Sequence, residues 1–166
     1  MDLWIPAEDG ADLLRDELAR TPGLAALAPG PGGTVTAHRL PGDPAAATAP
    51  VVFSRQLLPG AEAHRAESIR GWADLLLALL APRLPADAPW RLLVAARYDA
   101  RESSHAGAHR CHLIADALQQ QLRQRDRARL RAWIRDPDRP AAPPDSLVQL
   151  VLTGPAAGWL SVSAAP

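Results

Sequence analysis

Trp90-Arg91-Leu92-Leu93-Val94-Ala95-Ala96-Arg97-Tyr98, then the polar run from Asp99 to Gly107, then Ala108 to Leu122, is the passage that decides the fold. Its first part is apolar almost without a break, the pattern of a buried strand with a parallel neighbour. Its last part sets Cys111, Ile114, Ala115, Leu118 and Leu122 on one face of a helix. Downstream, helical character continues or restarts through Leu130, Trp133 and Ile134. The proline-rich stretch Asp136 to Asp145 can only be a loop. Leu147 to Thr153 and Trp159 to Ser163, joined through Gly154-Pro155-Ala156-Ala157-Gly158, read as a closing hairpin.

Working upstream, Ile69, Trp72, Ala73, Leu76, Leu79 and Leu80 recur at helical spacing, which predicts a helix over 63–80 ended by Pro82 and Pro85. Before it, Leu3 to Ile5, Thr34 to His38 and Val51 to Leu58 read as strands, with a short helix over 10–20 stopped by Pro22-Gly23. The expected order is β-α-β-β in residues 1–58 and α-β-α-β-β in residues 59–166. The fold class is therefore α+β, in two small subdomains.

Composition narrows the possibilities. The chain has 166 residues and 48% hydrophobic side chains, too apolar for a disordered segment. No apolar run approaches the length of a membrane helix. Met1-Asp2-Leu3-Trp4 has neither the basic start nor the cleavage site of a secretory signal, and Cys111 has no cysteine to pair with. A cytoplasmic location without membrane association is the expectation.

All 18 basic side chains are arginine, matched by 18 acids. The zero sum hides an imbalance: residues 1–90 hold 7 Arg against 11 acids, and residues 91–166 hold 11 Arg against 7. From Arg91 to Arg135 there are 10 Arg and 4 acids. Such a basic stretch is a cue for a polyanionic partner, and equally the pattern of a solvated helix with i,i+4 charge pairs.

No catalytic constellation stands out. There is no nucleophile elbow, no phosphate-cradling glycine loop and no close pair of acids at strand ends. Cys111 falls at a core position. His105, His109 and His112 are the sole metal-like group, but Cys111 lies off their face and four converging ligands are lacking. Neither catalytic nor metal-binding residues are assigned. Of the five tryptophans, Trp72 and Trp90 belong to the core pattern, and packing is the default for Trp4, Trp133 and Trp159. The favoured binding group is Arg97, Arg101, Ser103, Ser104, His105, His109 and Arg110, with Arg123 further along. It covers a strand end, a loop and a helix start, where free N–H groups and the positive dipole end suit a phosphate.

Val51-Val52-Phe53-Ser54-Arg55-Gln56, the Leu92 to Val94 strand, the Glu102-Ser103-Ser104 loop, the Cys111 to Leu122 helix and the Leu147 to Ser163 hairpin resemble the N-terminal half of the ribosomal RNA large-subunit methyltransferase M family. Those enzymes 2′-O-methylate cytidine in 23S ribosomal RNA. The resemblance implies a ferredoxin-like region over 1–58 and a THUMP-like RNA-binding domain over 59–166. In the family a Rossmann-like domain that binds S-adenosylmethionine follows, and no residue of this sequence matches it. The resemblance then implies that the chain binds structured RNA, ribosomal in that family, without itself holding a cofactor. A methyltransferase domain, in cis or in trans, would supply S-adenosylmethionine and the chemistry. The competing reading is a protein-interaction module whose basic helix docks an acidic partner or another copy of itself.

Overall fold

The computed structural model describes residues 1–7, 10–30, 33–40, 51, 54–97, 104–136, 138–140 and 142–164. It is α+β, and its contacts divide the chain into two compact units, Met1–Ala61 and Glu62–Pro166.

In the first unit, strand β1 (Asp2–Pro6) is buried along its whole length. It is followed by α1 (Ala11–Ala19), β2 (Leu24–Pro29), β3 (Val35–Arg39) and β4 (Ser54–Leu58). The sheet order is β2-β3-β1-β4, with every neighbouring pair antiparallel. Strands β1 and β2, joined by α1, thus run in the same direction with β3 between them. That split βαβ arrangement is the ferredoxin-like topology. Leu14 and Leu18 of α1 close over Trp4, Val35 and Ala37. The buried carboxylate of Asp2 accepts from the Arg39 Nε–H and from the Gly60 N–H (2.9 Å), so an acid inside this small core is paired.

The second unit contains β5 (Glu62–Arg65), α2 (Ile69–Arg83), β6 (Trp90–Ala96), α3 (Ser104–Arg125), α4 (Arg127–Ala132), β7 (Ser146–Gly154) and β8 (Ala157–Ala164). Its sheet has the order β5-β8-β7-β6. Strands β6 and β7 pair in parallel from Trp90↔Ser146 to Ala96↔Leu152. The near-continuous apolar run of β6 therefore has the parallel partner its sequence asks for. The hairpin β7–β8 is antiparallel, as the alternation predicts. Trp72, Leu76 and Leu80 of α2 and Ile114, Leu118 and Leu122 of α3 pack with Val148, Leu150, Leu152 and Leu160 of the sheet. Cys111 belongs to the same core, and burial pushes its thiol pKa up. Gly158 lies under Trp72, where a Cβ would stand 3.0 Å from the Val151 oxygen and 3.2 Å from the indole. Here a glycine is needed for close approach.

Two strands escape the sequence reading. Strand β2 is Leu24-Ala25-Ala26-Leu27-Ala28-Pro29, without a β-branched residue. Strand β5 is Glu62-Ala63-His64-Arg65, with almost no apolar content. Both are edge strands, held by one ladder each, where propensity counts least. The helix expected over 63–80 accordingly begins only after Ser68. The Ser68 hydroxyl accepts from the Gly71 N–H at 2.9 Å, an N-cap that sets the start of α2. Ser68→Ala is expected to lower stability by about 0.5–2 kcal/mol, measurable by urea unfolding. The other helix, α3, begins at Ser104 rather than Ala108. No helix among the described residues is long and apolar enough to cross a membrane.

Candidate nucleic-acid interface

The basic stretch from Arg91 to Arg135 splits into two populations once folded. Arg91 and Arg129 are buried. The Arg91 guanidinium faces Asp145 (3.5 Å) and donates to the carbonyls of Asp136 (3.2 Å) and Pro140 (3.1 Å). It pins the proline-rich loop. Arg139 reaches the other Asp145 oxygen at 3.4 Å. Arg129 donates to the Ala81 oxygen (2.9 Å), to the Leu84 oxygen (2.7 Å) and to Asp126. It ties α4 to the end of α2 and satisfies carbonyls that a helix C-terminus leaves open. Arg125 is also engaged: it shares Asp74 of α2 with Arg70, at 3.8 and 3.9 Å.

A second set remains on the surface. Arg123, Arg127, Arg131 and Arg135 are all exposed, and none has an ion-pair partner among the described residues. They recur every fourth residue through the end of α3, through α4 and just past it. The Arg127 Nε–H donates to the Arg123 carbonyl at 3.3 Å, which keeps these two side by side. With the Gln119 amide turned so that its oxygen faces donors, that oxygen accepts from Arg123 Nη2 and Arg135 Nη1, each at 2.7 Å. Two guanidinium groups therefore converge on one neutral acceptor. Their positive charge is oriented but not cancelled, which leaves planar forks of N–H donors for phosphate oxygens.

Trp133 fixes the far end of this array. Its ring stacks on Trp90 with centroids 5.0 Å apart and planes at 21°. The Arg135 guanidinium carbon lies 5.7 Å from the Trp133 centroid. The Ile134 N–H donates to the Trp90 carbonyl at 2.8 Å, so this segment is laced to the outer edge of β6. The Trp90 indole N–H donates to the Arg129 carbonyl at 2.9 Å, which joins the buried and exposed arginines into one framework. Beside it, between α3 and β6, opens a cleft of about 420 Å³.

The residues selected from sequence fare unevenly. Arg101 and Ser103 lie outside the described residues. Ser104 and His105 belong to the first turn of α3, and nothing of their side chains is described. Arg97 follows β6, its N–H bonded to the Leu152 oxygen at 2.7 Å. His109 is exposed, and Arg110 is half-buried with its Nε enclosed and without a hydrogen bond among the described residues. At 100° per residue, Arg110 stands about 140° around the helix from Arg123, towards the α2 side. His109 shares the solvent face with Arg123 but sits about 21 Å away along the axis, at about 1.5 Å per residue. The structure therefore does not gather these positions into one cluster; Arg123 belongs with Arg127, Arg131 and Arg135 instead. The fourfold spacing of those four is the sequence signal that would have found them. No group of His, Cys, Asp and Glu among the described residues is arranged to hold a metal ion.

No family model matches the chain, and no curated protein matches it either. Among solved structures, a predicted N6-adenine-specific DNA methylase from Listeria monocytogenes is similar in fold, with a TM-score of 0.54 and 15% identity. That match covers 99% of this chain and 40% of the methylase. PH1313 from Pyrococcus horikoshii aligns with 99% of this chain and 55% of its own length, at 11% identity and a TM-score of 0.48. The chain thus spans 40% of the methylase and about half of PH1313, and it shares an α+β fold with the methylase.

Proposed function

We propose that this chain is an RNA-binding module of methyltransferase type, which holds structured RNA for a catalytic domain in the same or another chain. The observation that carries the reading is the exposed row Arg123, Arg127, Arg131 and Arg135, left without described carboxylates while neighbouring arginines are paired or buried. Backbone phosphates take up those N–H groups, and duplex RNA is recognised chiefly by shape and backbone because its deep groove hides the bases. The likeness in fold to a methylase is consistent with this role. Arg97, Arg101, Ser103, Ser104, His105, His109 and Arg110, selected from the sequence, stay proposed as secondary RNA contacts rather than as one cluster. In the finer reading the RNA is ribosomal, and the methyl donor, S-adenosylmethionine, is bound by the catalytic domain. The chain itself contributes binding and orientation.

Filter-binding titrations against ribosomal RNA fragments at several salt concentrations test the proposal. Four phosphate contacts predict a log–log slope of about −3, at roughly 0.7–0.9 per contact. Affinity indifferent to salt would remove the reading. The rival reading is that an acidic protein docks here, over the arginine row and the exposed Leu93 that lines the cleft. Under that rival, an acidic polypeptide competes with RNA at equal charge concentration.

A further inference from the structure

The cleft beside the arginine row has features that a duplex backbone does not use. Its walls include Leu92, Ala115, Trp133 and Ile134, an apolar slot between a helix and a sheet edge. At its rim Gln119 and Arg135 are hydrogen-bonded, and Arg123 joins them. The third wall is β6, the last strand of its sheet. The Trp90 carbonyl points outward to Ile134, and the Arg97 N–H points inward to Leu152. Because backbone groups alternate along a strand, Leu92 and Val94 direct their N–H and C=O to the side on which no strand pairs among the described residues. An N–H beside a C=O on one extended residue offers a donor next to an acceptor, matching the polar edge of a nucleobase.

We propose that this cleft takes a single unpaired nucleotide of an RNA. The base enters the apolar slot against the β6 edge, and its phosphate is held by Arg123 and Arg135. The proposal rests on the RNA-binding reading and names the part of the substrate that this site takes. A cleft of about 420 Å³ is in the range of small-molecule sites and has room for one base with its sugar. Charge complementarity selects a nucleotide over an apolar peptide, because Arg123 and Arg135 at the mouth form no ion pair among the described residues. The carboxylates of Asp116 and Asp136 also line the cleft, and His112 stands beside them. Carboxylates accept from exocyclic amines, so a base carrying an amino group fits better than uracil.

Three probes are compared for binding to the full chain: a short single-stranded oligoribonucleotide, the same oligomer with abasic sites, and a blunt RNA duplex. The single strand is expected to bind about tenfold more tightly than the abasic oligomer, the scale of one stacked base. Ala115→Phe fills the slot and is expected to remove that difference while duplex affinity changes less than about twofold. Gln119→Glu places a carboxylate between Arg123 and Arg135 and adds an i,i+4 pair on the helix. It is expected to weaken the single strand about tenfold without loss of stability. Equal affinity for the single-stranded and abasic oligomers overturns the proposal even if Ala115→Phe fails to fold, and leaves the RNA-binding reading standing. Absence of binding to all three probes overturns both.

Discussion

Replacing Arg123, Arg127, Arg131 and Arg135 together by alanine is expected to weaken RNA binding at least about a hundredfold near 0.1 M salt and to flatten the salt slope by about 3. The two effects share one cause. Each guanidinium that meets a phosphate releases a counterion, so removing four removes both the attraction and its dependence on salt. The fold is expected to tolerate the change, because all four side chains are exposed and none pairs with a described acid. Stability should fall by less than about 1 kcal/mol, as is usual for surface positions. Filter binding and urea unfolding on the same preparation check both halves. Arg125 is the matched control. It lies on the same helix but engages Asp74, so Arg125→Ala should change affinity little.

Arg129→Ala is expected to act in the opposite way, with a loss of about 3–5 kcal/mol of stability, the range for removing one partner of a buried charge pair. Arg129 is 9% exposed, and its guanidinium serves three acceptors, at the end of α2 and at the start of α4. Without it, the Ala81 and Leu84 carbonyls lose their donor at the end of α2, and Asp126 loses its counter-charge. Arg129→Met keeps most of the volume but supplies no donors, so it should recover only the packing part of the loss. Since domains are stable by only about 5–15 kcal/mol, the alanine variant is expected to unfold at much lower urea. RNA binding by the fraction still folded should be nearly unchanged. The two arginine experiments thus separate guanidinium groups that hold the fold from those that face outward.

That separation is what the sequence conceals. Arg123 and Arg129 look alike on paper, six residues apart in one basic stretch. Their fates diverge because α3 ends at Arg125 and α4 restarts after Asp126, which turns Arg129 inward to α2. Arg91 is equally opaque, since its partner Asp145 lies 54 residues away, beyond a proline-rich loop. The central architecture is legible for the converse reason. The apolar run of β6, the periodic face of α3 and the alternation of β7 and β8 each carry their own burial pattern. Strands β2 and β5 carry none, because an edge strand made of alanine or charged residues is recruited by its neighbour's open ladder. For the binding group, the sequence reading places its candidates along and before α3 and includes Arg123, one member of the exposed row. It favoured the helix start for its dipole, whereas the array of unneutralised arginines stands at the other end.

The most direct measurement is a titration of the isotope-labelled chain with a short structured RNA, followed by backbone amide and arginine Nε–H chemical shifts. The largest changes should gather on Gln119, Arg123, Arg127 and the segment from Arg131 to Arg135, with smaller ones near Arg97 and His109. Shifts confined to residues 1–61 or to β5 and α2, with the Arg123 to Arg135 signals unmoved at saturation, would contradict it.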